Sequence, residues 1–228
     1  MAIADNLRFF QDQLAGTNCR LVTVTKTHPV ERLQDAYDAG ARLFGENKVQ
    51  EMVAKQPALP ANVEWHLIGH LQTNKVKYVA PFVHTIQSID SLKLLQEVEK
   101  QAAKHGRVVR GLLQFHIADE DTKSGLSLAE AHALLQSEAY RAMRHVQLTG
   151  VMGVATNTPD EAQLRREFRE LRGCFDELKA RYFAEQLEFR EVSMGMSADY
   201  KLAIEEGSTL IRVGSAIFGA RNYGQVEG

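Results

Sequence analysis

Cysteine is scarce in this chain, with two in 228 residues. Cys19 and Cys174 lie far apart, and neither belongs to a Cys-x-x-Cys or Cys/His spacing, which excludes a disulfide framework or a zinc site as the organising feature. That usage fits a reducing, cytoplasmic setting. Excess charge is lacking too: 27 Lys and Arg against 29 Asp and Glu leave a net charge of -2 and a pI near 6.5, against a broad nucleic-acid-binding surface. Small-molecule partners are expected instead. No apolar run reaches the roughly 20 residues that span a bilayer. The first residues instead place Asp5, Arg8 and Asp12 in an amphipathic helical pattern, so neither a signal peptide nor a membrane anchor is expected. Linkers, low-complexity tracts and internal repeats are also missing.

What is present is an alternation. With 44% hydrophobic and 25% charged residues the composition is that of an ordinary globular chain. Strand-like runs fall at 21–26, 41–44, 63–68, 82–89, 108–117, 146–151, 188–192 and 209–213, each followed by a helical stretch. Pro29 is placed to open the first of those helices and Gly40 to end it. A long helix before residue 182 carries Leu164, Phe168, Leu171, Phe175, Leu178 and Tyr182 at spacings of four and three, a core-facing stripe. Arg165, Arg166, Arg169 and Arg172 on the same helix read as a solvated face. Eight βα repeats predict a single-domain (β/α)8 TIM-type barrel: an N-terminal helical segment over 1–19, the barrel over 20–220 and a tail over 221–228. An open doubly wound sheet is the alternative. A dinucleotide-binding version would want Gly-x-Gly-x-x-Gly after its first strand, where this chain has Lys-Thr-His-Pro.

Lys26 closes the first strand in this reading and shares a face with Val22 and Val24. A lysine that continues an apolar row to a barrel mouth sits against low-dielectric walls, where desolvation favours the neutral, nucleophilic amine that makes a Schiff base. The alternative is an ordinary lysine reaching from a strand end to water. Two small-residue joints follow the seventh and eighth strands: Ser193-Met194-Gly195-Met196-Ser197 and Gly214-Ser215-Ala216. In a barrel these joints are where a phosphate is commonly cradled on glycine backbone and helix N-termini, although each alone also reads as a helix cap. Arg212, with the parity of Leu210, points inward and needs an acceptor, either Glu191 or a ligand ring nitrogen. An amine nucleophile, a phosphate cradle and a cation for a ring nitrogen together describe pyridoxal 5′-phosphate.

Five stretches then carry a resemblance: Val-Thr-Lys-Thr-His-Pro at 24–29, Phe-Gly-Glu-Asn-Lys-Val-Gln-Glu at 44–51, Trp-His-Leu-Ile-Gly-His-Leu-Gln-Thr-Asn-Lys at 65–75, Ser-Met-Gly-Met-Ser-Ala-Asp at 193–199 and Arg-Val-Gly-Ser-Ala-Ile-Phe-Gly at 212–219. In that order they resemble the pyridoxal phosphate homeostasis proteins of the YggS/PROSC type nearly end to end. The resemblance implies a fold-type-III-like barrel similar to the alanine racemase N-terminal domain, with the cofactor joined to Lys26. It further implies Asn47, His66 and Ile68 as pocket wall, Ser193, Met194 and Gly195 as phosphate loop, Gly214 and Ser215 as the second half of the cradle, and Arg212 opposite the ring nitrogen. Lys48, His116 and Ser215 depart from the residues common in the family, and His116 either alters the pocket or fills the core; Lys123, in the loop after the fifth strand, matches the family. The implied role is intracellular homeostasis: a monomer that holds pyridoxal phosphate and delivers it to apo-enzymes. A pyridoxal phosphate-dependent racemase or lyase of amino acids is the competing class, for which Tyr200 or His66 would have to serve as a base. Against it, an arginine at the ring nitrogen makes a poor proton donor and so a poor electron sink. A phosphate-binding barrel enzyme that does not use the cofactor is the third possibility.

Overall fold

The computed structural model describes residues 2–119 and 124–219, so Lys123 and the 221–228 tail lie outside the described residues. Eight parallel strands close into a barrel in the order β1 to β8. The first half runs α1 (Ile3–Leu14), β1 (Arg20–Val24), α2 (Val30–Asp38), β2 (Leu43–Glu46), α3 (Val49–Lys55), β3 (Glu64–Leu67), α4 (Val76–Val79) and β4 (Thr85–Ile89). The second half runs α5 (Leu92–Lys104), β5 (Val109–Phe115), α6 (Leu128–Gln136), α7 (Glu138–Arg141), β6 (Val146–Gly153), α8 (Glu161–Tyr182), β7 (Glu191–Ser193), α9 (Tyr200–Glu205), β8 (Leu210–Val213) and α10 (Ser215–Phe218). The expected barrel is therefore present and the open sheet is not. Among the described residues, no helix is long and apolar enough to cross a membrane.

Strand parity builds two cores. Val22, Leu112, Met152 and Leu210 form a small apolar cluster inside the barrel, while the larger core fills the layer between strands and helices. The α8 stripe belongs to that outer layer, with Leu164, Phe168, Leu171, Phe175 and Leu178 all buried. Its arginines turn to α9: Arg165 and Arg169 each reach Glu206 at 2.8 Å, and Arg172 pairs along the helix with Asp176. These exposed pairs are screened by solvent, contribute little to stability and are structural. The α1 helix packs beside the four-residue α10, where Asn6 Nδ2 donates to the Ile217 carbonyl at 2.8 Å and Phe10 meets Tyr200 edge to face. The N-terminal segment thus completes the outer layer next to the short α10.

Three local expectations need correction. Pro29 is the N-cap of α2 rather than its first helical residue. The β2 strand runs through Gly45 to Glu46, because Gly45 is an inward position where a Cβ would lie 2.9 Å from Val22 Cγ1. The β7 strand starts three residues late because Phe189, stacked on Phe183 and Phe175, plugs the outer core before the ladder begins.

Candidate functional site

The carboxyl ends of the strands gather most of the expected residues at one rim. Lys26 does not end β1; it stands two residues beyond Val24, half-buried in a tight turn. Thr25 N–H still donates to the Gly45 carbonyl at 2.9 Å, and the turn follows because Thr27 adopts φ 67°. Asn47 and Ile68 sit half-buried just past β2 and β3. A Cβ on Gly69 would lie 2.4 Å from the Asn47 carbonyl oxygen, so those two joints pack backbone against backbone.

The two glycine joints form the other side of the rim. Gly195 has φ 92°, and a Cβ there would fall 2.5 Å from Ala203 Cβ, so glycine is needed to fold this loop against α9. Gly214 lies against β1, where a Cβ would meet the Val24 carbonyl oxygen at 2.9 Å. That contact puts the second joint beside the turn carrying Lys26. Ser215 Oγ donates to Ser197 Oγ at 3.2 Å and ties the joints together, and Ser215 opens α10, whose first N–H groups have no intrahelical acceptor.

Two residues expected in the phosphate loop have their side chains turned elsewhere. Met194 buries its side chain in the outer core and donates its N–H to the Leu210 carbonyl at 3.1 Å. Ser193 is not in the loop but is the last residue of β7, fully buried inside the barrel. Register causes this, since Met152 opposite Ser193 fixes it on an interior row.

Ser193 belongs to a polar relay across the barrel. Arg212, 5% exposed, donates to Ser193 Oγ at 2.7 Å and to the Gly153 carbonyl at 2.9 Å. Ser193 donates onward to Gln87 Oε1 at 2.6 Å, and Gln87 Nε2 contacts His66 Nδ1 at 2.9 Å. A guanidinium can only donate, so the direction propagates: Gln87 donates to His66 Nδ1, and the His66 proton resides on Nε2. Glu191, the expected alternative partner of Arg212, instead binds Arg20 at 2.6 Å. Burial lowers the Arg212 pKa to about 10, with Asp199 pulling it back up, and leaves it a cation at neutral pH. Gln87 was not among the expected site residues; the available signal was an amide between Ile86 and Ser88 in the fourth strand run.

His66 faces away from the rim. Its ring stacks on His84 at 5.5 Å and lines a cavity of about 60 Å³ at the opposite end of the barrel, with Arg20 and Arg110. Glu64, His66 and His84 approach one another there as metal ligands would. However, Arg110 donates to His84 Nε2 at 3.0 Å and His66 presents N–H, so the ring atoms needed for a metal are engaged or protonated.

The sequence profile of the alanine racemase N-terminal domain matches residues 1–222. A pyridoxal phosphate homeostasis protein of Aquifex aeolicus is 38% identical over 210 residues, covering 91% of this chain and 90% of that protein. Its namesake in Escherichia coli K12 is 37% identical, with 97% of each chain covered. The chain belongs to the pyridoxal phosphate homeostasis family. PipY of Synechococcus elongatus, solved with pyridoxal phosphate bound, is 36% identical with a TM-score of 0.84, covering 95% of this chain and 100% of that one. Alanine racemase of Bartonella henselae shares the fold, with a TM-score of 0.70 at 17% identity, over 99% of this chain and 60% of the racemase.

Within this family member, His116 lies half-buried just past β5 and lines a groove with Leu126, Glu170 and Cys174, on the helix side of the strand. His66 carries a pH consequence. Burial first, and then the charges of His84, Arg20 and Arg110, lower its pKa from 6.5 to about 3. The unfolded chain therefore binds a proton on His66 between those values while the folded chain does not, so stability falls as pH drops from 6.5 towards 3. By pH 4.5 the loss from this group is about 3 kcal/mol. His66→Asn keeps an acceptor for Gln87 and removes the titration. Urea melts between pH 6 and pH 4 should then show a slope shallower by about 1.4 kcal/mol per pH unit; equal slopes would refute the burial of a neutral His66.

Proposed function

We propose that this protein binds pyridoxal 5′-phosphate at the rim as a covalent adduct of Lys26, and that it acts in the cytosol as a monomeric carrier that delivers the cofactor to apo-enzymes. The supporting observation is the contact of Gly214 with Val24, which sets the second glycine joint beside the turn of Lys26. The donor set fits the cofactor. Gly195, Gly214 and Ser215 would offer a backbone and hydroxyl cradle for a phosphate, Asn47 and Ile68 would wall the neighbouring strand ends, and Arg212 would supply a buried cation for the ring nitrogen. When bound, pyridoxal phosphate supplies an aldehyde that condenses with an amine and releases water. Ser193 and Met194 support the cradle from behind: Ser193 orients Arg212, and Met194 anchors the loop to the outer core. His66, at the far end of the relay, orients Gln87.

Holding rather than turnover is favoured by the candidates for a base. Tyr200 packs against Phe10 behind the barrel, and His66 is a neutral donor turned to the opposite end. Arg212, a cation with two acceptors already, is a poor proton donor to a ring nitrogen. Two measurements test the proposal. Borohydride added to the loaded protein should fix the cofactor on the peptide containing Lys26, as read by mass spectrometry. Loaded protein should also reactivate an unrelated apo-enzyme faster than the same total of free cofactor does; equal rates would reduce the role to passive binding.

A further inference from the structure

Behind the rim, between β1, β2 and α3, lies an ionic cluster that the site just described does not use. Lys55, the last residue of α3, is buried, and its ammonium donates to Glu46 Oε1 at 2.8 Å, Glu51 Oε2 at 3.0 Å and the Thr25 carbonyl at 3.0 Å. Glu46 is fully buried and also accepts from Thr25 Oγ1 at 2.6 Å. Glu51 accepts the Thr27 N–H at 2.8 Å. An apolar trio would hold α3 on the barrel at least as well, because desolvating three charges offsets most of their attraction. What apolar side chains could not do is grip main chain, and the main chain gripped here flanks Lys26 on both sides.

The turn needs gripping. Among the described residues, Thr27 is the one non-glycine residue with positive φ, at 67°. A β-branched residue pays a steric cost there, and such conformations persist only where surrounding contacts over-determine them. Its amide is bound by a side chain from 24 residues away, and the carbonyl of Thr25 is bound by the same ammonium that neutralises that side chain.

We infer that Glu46, Glu51 and Lys55 form a clamp that holds the turn Thr25–Thr27 and so presents the Lys26 amine to the cofactor: they are positioning residues for its capture. This rests on Lys26 as the attachment point and adds how the chain prepares it.

Glu51 gives the cleanest test, since it is partly exposed and its loss leaves the Lys55–Glu46 pair to keep the fold. In the full-length protein without cofactor, Glu51→Ala should accelerate hydrogen exchange of the Thr27 amide at least about tenfold. It should also raise the Kd for pyridoxal phosphate by about tenfold, the factor of one hydrogen bond to a charged group. Glu51→Gln keeps a carbonyl acceptor for the Thr27 amide and should stay within about threefold of the parent on both readouts. If Glu51→Ala lowers thermal stability while Thr27 exchange and Kd stay unchanged, the cluster only braces α3 and the inference fails. If borohydride labels a residue other than Lys26 in the unmodified protein, the attachment reading fails and the inference with it. The amide exchange, measured without cofactor, separates the two failures.

Discussion

Lys26→Ala is expected to abolish borohydride-stable attachment of pyridoxal phosphate completely and to weaken its retention on the order of a hundredfold, about 2.7 kcal/mol. In the proposed reading the Lys26 amine is the nucleophile, and Lys55 cannot replace it, being buried with its ammonium engaged by Thr25, Glu46 and Glu51. The glycine joints and Ser215 do not depend on Lys26, so weak, reversible binding of the phosphate should survive. The fold should survive as well. Lys26 is half-buried in a turn whose flanking backbone is held by other side chains, so the change in unfolding free energy should stay within about 0.5 kcal/mol. Absorbance spectra, equilibrium dialysis and thermal melts of the variant check the three parts together. A variant that still acquires the reducible adduct would place the attachment elsewhere.

The barrel and much of the candidate rim are legible in the sequence, for reasons that are local. Strand runs and helical stripes report on neighbouring residues, so the eight-fold alternation and the barrel followed from the chain alone. Gly195, Gly214 and Ser215 were legible for the same reason, as small residues in the joint after a strand. The remainder depended on distant pairings. Ser193 was expected at the phosphate but lies inside the barrel, because the register Met152 opposite Ser193 is set between strands. Lys26 was expected to finish a strand, but the chain turns at Thr27, whose amide is held by Glu51 of α3, 24 residues away. Gln87 escaped notice because its importance lies wholly in its partners Ser193 and His66.

The glycine with the greatest structural consequence was equally silent. Gly150 sits within the strand run that became β6, with nothing in its neighbours to set it apart. Between β5 and β6 the register shifts, pairing Gly111 with Leu148 but Leu112 with Gly150, so Thr149 is the extra residue of a bulge. Gly150 emerges from it with φ 155°, and a Cβ there would lie 1.9 Å from the Glu191 carbonyl oxygen and 2.6 Å from its carbon. Both obstacles are backbone of β7, held in the ladder, so nothing flexible can give way. Gly150→Ala should therefore cost more than about 4 kcal/mol, which for a chain of this size means a Tm lower by roughly 8–16 °C. The strain should also reach the site. The ladder from Gly150–Glu191 through Met152–Ser193 leads directly to Ser193 Oγ and the Gly153 carbonyl, the two acceptors of Arg212. Any variant that folds should therefore bind pyridoxal phosphate more weakly, although the substitution is far from the rim in sequence and chemistry. Gly106→Ala is the control, because its φ of 59° brings backbone strain but no atom lies within 4 Å of the added Cβ. That variant should lose only about 1 kcal/mol and keep its affinity. Equal losses of Tm in the two variants would show that β6 and β7 are not packed as tightly at Gly150 as the structure places them.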